Sequence, residues 1–208
     1  MRISEDRYMR DLRRIHLAQR MIRHEVRTKT ICTWTGLNEE RVRNLARSYE
    51  ATLAPAGRHR GPSPKKVDVF LRHTLLRAEA ACLGGFAHAY GILPREVMPN
   101  AARLLPGVAL GERLCHTFEV FQTVVSGARL TMEHFILLVV ALAERREIEL
   151  DHCVHCNAVL IVESTSREQR ICFGCRKLSG LKTRSYGDEA EEDRSEAVPA
   201  VGIQQLLF

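Results

Sequence analysis

Two Cys-x-x-Cys pairs, Cys153/Cys156 and Cys172/Cys175, stand 15 residues apart near the end of this 208-residue chain. A short hairpin would bring four thiolates within reach of one tetrahedral ion, and the spacing matches a structural zinc pattern. Ala158 to Val162 reads as a strand between the pairs, with Arg170, Ile171 and Cys172 returning beside it. Asn157 and Gly174 are residue types that tolerate the left-handed turns of tight cysteine knuckles. Four sulfurs would fill the coordination shell and leave no position for water or substrate, so one Zn2+ is expected to hold structure. Iron in a rubredoxin-like site suits the same ligands, because sulfur donors do not choose the metal. A dithiol redox centre would need only one pair. His152 and His155 flank the first pair but are unnecessary as ligands. The deaminase arrangement of His-x-Glu followed by Pro-Cys-x-x-Cys is absent, as are a phosphate-binding glycine loop and a nucleophile elbow. The expectation is a non-enzyme with no catalytic residues.

The chain carries seven cysteines, so a complete intramolecular disulfide set is impossible; Cys32, Cys82 and Cys115 lie in helix-like text, where a small thiol packs. The longest clean apolar run, Phe135 to Ala143, is nine residues and too short to span a bilayer. Arg7, Arg10, Arg13 and Arg14 interrupt any apolar stretch after the start, so a cytoplasmic rather than secreted chain is expected.

The rest of the pattern is mainly α. From Asp6 to Arg27, Tyr8, Leu12, Ile15, Gln19, Ile22 and Val26 recur at spacings of three and four and predict a stripe, with Leu17 and Met21 opposite it among arginines. Thr30 to Gly36 reads as a short turn of helix ended by glycine. Asn38 then caps a helix burying Val42, Leu45, Ala46 and Tyr49 and turning Arg41, Arg43, Asn44, Arg47 and Ser48 outward. Short helix, glycine turn and amphipathic helix is a helix-turn-helix-like layout, and Arg and Asn are side chains that can contact guanine and adenine edges. Helices are further expected from Val67 to Tyr90, after Pro94, over Gly111 to Val125, and from an N-cap at Thr131 to Arg146. The chain divides into an N-terminal region (1–54), a basic Pro/Gly arm (55–66), a helical body (67–150), a cysteine segment with a basic extension (151–186) and an acidic tail (187–208) whose composition suggests disorder.

Charge is uneven. Residues 1–66 carry a net +9, residues 67–150 a net −1 and residues 151–208 a net −2. A local basic surface attracts polyanions, so double-stranded DNA leads the candidate partners. Arg41, Arg43, Asn44, Arg47, Arg58, Arg60, Lys65 and Lys66 are the candidate contacts, with Arg176, Lys177, Lys182 and Arg184 extending them around the cysteine segment. A solvated helix face is the plainer account of the same residues.

In order, these features resemble the FlhC family of bacterial flagellar transcription activators over roughly residues 6–185. The helix-turn-helix-like stretch ends Val-Arg-Asn-Leu-Ala-Arg-Ser-Tyr-Glu, and Gly61 to Lys65 is similar to the family's proline-rich basic turn. Helical text running from Ala141 to Leu150 leads directly into the first cysteine pair, and Arg176 to Arg184 follows the second. Asn157 and Ala158 stand where the family has glycines, and Val67 to Arg72 replaces its aromatic-rich stretch, as in a divergent paralogue. The resemblance implies a hetero-oligomer with an FlhD-like protein, binding upstream of promoters and helping to recruit RNA polymerase, at flagellar operons or transfer genes of mobile elements. It also implies that Cys153, Cys156, Cys172 and Cys175 are the zinc ligands. The competing classes are a zinc-stabilised protein–protein adaptor that never touches DNA and a redox sensor built on the cysteine pairs.

Overall fold

The computed structural model describes residues 5–52, 63–93, 105–145, 147–166 and 170–180. In chain order these form α1 (Glu5–Arg23), α2 (Thr28–Thr35), α3 (Glu39–Thr52), α4 (Val69–Arg72), α5 (Thr74–Ala89), α6 (Val108–Val124), α7 (Met132–Glu144), β1 (Ile148–His152), β2 (Val159–Glu163) and α8 (Phe173–Leu178). The protein is mainly helical, with a two-stranded sheet and a four-cysteine cluster near its C-terminal end. No described helix is long and apolar enough to cross a membrane. The expected helix after Pro94, most of the basic arm and the acidic tail lie outside the described residues.

One apolar core runs from Leu17 in α1 to Ile161 in β2 and draws on every helix from α1 to α7. Phe118 is its hinge, meeting Phe135, Phe121 and the ring of His24 at centroid distances of 6.1, 6.2 and 5.3 Å. No residue of α7 is exposed, as its apolar text anticipates. Its start is set by Thr131, whose side chain accepts from the His134 amide while the His134 ring accepts from the Thr131 amide.

The stripe expected from Asp6 to Arg27 holds at Ile22 and Val26, which are buried, and is corrected before them in α1. Leu17, Ala18 and Met21 are fully buried, whereas Tyr8 is 65% exposed and Leu12 and Ile15 are half-buried. Periodicity finds a face, and the neighbouring helix decides which face is covered. Here the neighbour is α6. Arg13 pairs with Glu112 and Arg20 with Glu119, each pair 99 positions apart, so the two helices run parallel in fixed register. Between the pairs Leu17 fills the space left by Gly111, where a Cβ would stand 2.6 Å from a Leu17 methyl. The arginines around Leu17 and Met21 are therefore a frame for the α1–α6 contact. His24 adds a 3.2 Å contact to Glu119. The guanidinium of Arg13 holds the Glu112 carboxyl below the usual range. For Glu119, burial raises the pKa, but hydrogen bonds from Arg20 and His24 outweigh it and leave a net lowering. Both pairs thus contribute above the ordinary carboxylate range and are lost as pH falls through the lowered values.

A continuous helix from Val67 to Tyr90 is also corrected. His73 is extended (φ −121°, ψ 137°) and separates α4 from α5. The buried positions explain the break: Glu79, Ala80, Leu83, Gly84 and Ala87 form one face of α5. At 100° per residue, Phe70 would be turned roughly a third of a turn away from that face and Val67 nearly half a turn. Breaking at His73 lets Phe70 reach the core beside His134.

The third correction is β1, which falls in text read as the end of α7 and spans the expected boundary at residue 150. Arg145 ends α7 in the left-handed region (φ 49°) without a glycine. The chain then pairs Ile148 with Glu163 and His152 with Val159 in antiparallel register. This hairpin sits on α5: a Cβ on Gly84 would stand 2.8 Å from a Leu150 methyl, and the Arg77 side chain donates to the Ile161 carbonyl at 3.1 Å.

Filling the α1–α6 slot tests this packing. Gly111→Val should destabilise the protein by about 2 kcal/mol, the usual range for overpacking. Leu17→Ala alone should also destabilise it, whereas the double variant should lose clearly less than the sum of the two, read by denaturant titration.

Candidate metal centre

The hairpin delivers the first cysteine pair and the following loop delivers the second. Cys153 follows β1 directly and is buried, Cys156 is exposed, and Cys172 and Cys175 are half-buried at the start and within α8. The chain reverses after Cys153 because Asn157 adopts φ 59°, as its residue type allows, and donates its amide to the Cys153 carbonyl at 2.9 Å. The Ala158 carbonyl accepts from the Cys153 amide at 2.8 Å and so closes the knuckle against β2. Gly174, expected to be left-handed, lies instead within α8. The second pair uses a helical turn in which the Cys175 amide donates to the Cys172 sulfur at 3.3 Å.

Arg170 joins the two halves. Its guanidinium meets Glu149 at 3.0 Å and Asp151 at 2.9 Å, while its carbonyl accepts from the Val154 amide at 2.9 Å. Glu149 and Asp151 are two apart on β1 and so share one strand face. The expected return of residues 170–172 as a strand beside β2 is replaced by this clamp onto β1. The clamp role of Arg170 was missed because Glu149 stood in text read as helical and Asp151 across the boundary at 150; the alternating acids of a recognised strand would have pointed to it.

The four sulfurs all lie within 4.8 Å of one another. In a tetrahedral site with metal–sulfur bonds of about 2.3 Å, each sulfur pair is about 3.8 Å apart. The Cys156 and Cys172 sulfurs are 3.5 Å apart, far beyond a disulfide bond, and all seven cysteines are free thiols. His152 and His155, both exposed, do not belong to the group.

Electrostatics fit a cation. Cys153 is lowered to about 6, first by the Cys172 amide, which donates to its sulfur at 3.2 Å, and further by amides of the first knuckle. Cys175 is pushed up to about 12, first by its hydrogen bond to Cys172 and then by Cys156, and Cys156 is raised as well. One thiolate, that of Cys153, is thus stabilised by backbone dipoles, while Cys156 and Cys175 are shifted toward the protonated form. A divalent ion reverses that balance, because it neutralises several thiolates at once. The donor set can hold a metal with four sulfurs and nothing else.

The DNA candidates are distributed over separate elements. Arg41, Arg43, Asn44 and Arg47 are all exposed on α3, opposite buried Val42 and Ala46. Arg43 pairs with Glu39 one turn earlier, and Arg47 donates to the Asn44 side chain. Lys65 and Lys66 are exposed just before α4, Arg176 is half-buried and Lys177 exposed on α8. Arg58, Arg60, Lys182 and Arg184 lie outside the described residues. No protein-family model matches the chain, and no curated protein matches it.

Metal binding should release the protons held by Cys156 and Cys175. Affinity for Zn2+ or Cd2+ in a competition titration should therefore fall as pH is lowered, and fall more steeply below about 6, where Cys153 also takes up a proton. Replacing Cys153 by serine should abolish stoichiometric metal and expose the 148–180 segment to protease while leaving the helical circular dichroism largely in place.

Proposed function

We propose that this chain is the DNA-contacting subunit of a heteromeric transcription activator of the FlhC type, stabilised by one structural zinc. It acts in the cytoplasm with an FlhD-like partner, binding upstream of flagellar or mobile-element transfer promoters and aiding RNA polymerase recruitment. Zinc is the ion proposed because two Cys-x-x-Cys pairs closing a four-sulfur site match the structural zinc pattern, and elemental analysis separates it from iron, which the same ligands accept. The same closure supports a non-enzymatic role.

The observation that carries this reading is the geometry of α2 and α3. Gly36 ends α2 in the left-handed region (φ 71°), and only Leu37 and Asn38 then precede α3. Asn38 caps α3 by accepting the Arg41 amide at 2.9 Å. Val42 and Ala46 anchor the helix in the core, which leaves Arg41, Arg43, Asn44 and Arg47 on the far side. An anchored helix with an arginine–asparagine face suits a major groove. The pairs to Glu39 and Asn44 hold two arginines extended, and exposed pairs of this kind are worth only about 0.3–0.5 kcal/mol, so a phosphate or base edge can replace them.

A second reading, the protein–protein adaptor, is favoured by a different observation. Arg13, Arg20 and Arg27 are engaged by Glu112, Glu119 and Glu133, so part of the basic excess faces the protein's own helices. DNA titration separates the two readings. With promoter fragments at roughly 50 and 200 mM salt, binding should weaken steeply with salt and become selective with the FlhD-like partner present. Arg47→Glu should reduce affinity about tenfold or more and lower the salt slope by about one or more. Unchanged affinity and slope would remove Arg47 from the interface. No binding by the folded, metal-loaded protein with or without partner would leave the adaptor.

A further inference from the structure

The cysteine segment displays an unusual surface. Among the described residues, Val154, Phe173 and Leu178 are large apolar side chains exposed at 68%, 55% and 89%. Val154 and Phe173 occupy equivalent places, each directly after the first cysteine of its pair. On α8, Phe173 shares a side with Arg176 and Lys177 at spacings of three and four, and Leu178 follows immediately. Apolar side chains interleaved with cations suit an occupant that is both acidic and apolar.

We propose that residues 187–208 of this same chain dock on that surface and compete there with polyanions. Residues 188–196 hold Asp188, Glu189, Glu191, Glu192, Asp193 and Glu196 against the single Arg194. Ile203, Leu206, Leu207 and Phe208 then supply the apolar half. The tail thus carries both kinds of group that the cysteine segment displays a complement for, carboxylates for Arg176 and Lys177 and apolar side chains for Val154, Phe173 and Leu178. The connection is also short: Gly180 to Asp188 spans at most about 27 Å and Gly180 to Ile203 about 75–80 Å at roughly 3.3 Å per residue. A tether of this length keeps the effective concentration of the acidic stretch in the millimolar range, enough for weak contacts to persist. Its carboxylates meet Arg176 and Lys177 as DNA phosphates would. Docking itself is independent of what else the surface binds, but its consequence for DNA rests on the proposed function. Under that reading the tail suppresses loose, non-specific binding and yields to a better-fitting site.

The test uses the full chain and a full-length variant with its six tail acids changed to Asn or Gln, which alters only residues beyond the described core. A fluorescent peptide of residues 187–208 should bind the neutralised variant in a salt-sensitive way, and bind the unaltered chain about tenfold more weakly because its own tail holds the site. Phe173→Ser and Lys177→Glu, both at exposed positions, should each weaken peptide binding to the neutralised variant several-fold. Non-specific DNA affinity at low salt should rise about fivefold to tenfold on neutralisation. Equal peptide binding to both chains, or none to either, would overturn the proposal, as would self-association that disappears with the tail charges, since that assigns the surface to a second copy. Peptide binding as expected with no DNA binding by either chain would uphold docking and sink the DNA reading instead.

Discussion

Four sulfur atoms within 4.8 Å are held together against their own chemistry, because each thiolate formed opposes the next. The fold brings them together through its scaffold. The β1–β2 hairpin is seated on α5 where Gly84 admits Leu150, Arg77 pins β2 by its carbonyl, and Arg170 ties the second cysteine pair to β1 through Glu149 and Asp151. A cation bound among them would relieve the remaining repulsion. The cysteine segment is consequently an outgrowth of the helical core, sharing Ile148 and Ile161 with it. Metal loss should therefore loosen the knuckles and α8 first and reach the core only through the hairpin.

Charge in this protein has two destinations. The basic excess of the first third looks in the sequence like a surface for polyanions, yet Arg13, Arg20 and Arg27 turn inward to glutamates on α6 and α7. The first two of those pairs fix the parallel register of α1 and α6 around Leu17 and Gly111. The arginines of α3 differ: Arg43 pairs with Glu39 and Arg47 with Asn44, both on the same helix and about one turn away. An inward set that frames the helix packing and an outward set exposed on α3 together account for the uneven charge distribution.

Local signals were the legible ones. The Gly36 turn, the Asn38 cap, the Thr131 cap, the α3 core face and the cysteine spacing each depend on a few adjacent residues, and each appears in the structure as expected. The misreadings share a different origin. Which side of α1 is buried depends on a glycine nearly a hundred residues away, and the break at His73 depends on where α5 must turn Leu83 and Ala87. The strand at Ile148–His152 was hidden because Arg145 reverses the chain without glycine or proline, leaving no punctuation between helix and strand. With β1 unseen, Arg170 was placed only at the start of a segment returning beside Ala158–Val162, without its partners Glu149 and Asp151.

The central claim is that a metal ion completes a four-sulfur site which the hairpin and Arg170 have already drawn together. X-ray absorption on the purified full-length chain, with elemental analysis of the same sample, tests it most directly. The account predicts one metal per chain, with four sulfur neighbours at about 2.3 Å and no nitrogen or oxygen in the shell. A chain that is folded through residue 180 with no bound metal, or with a histidine or water among the ligands, would contradict it.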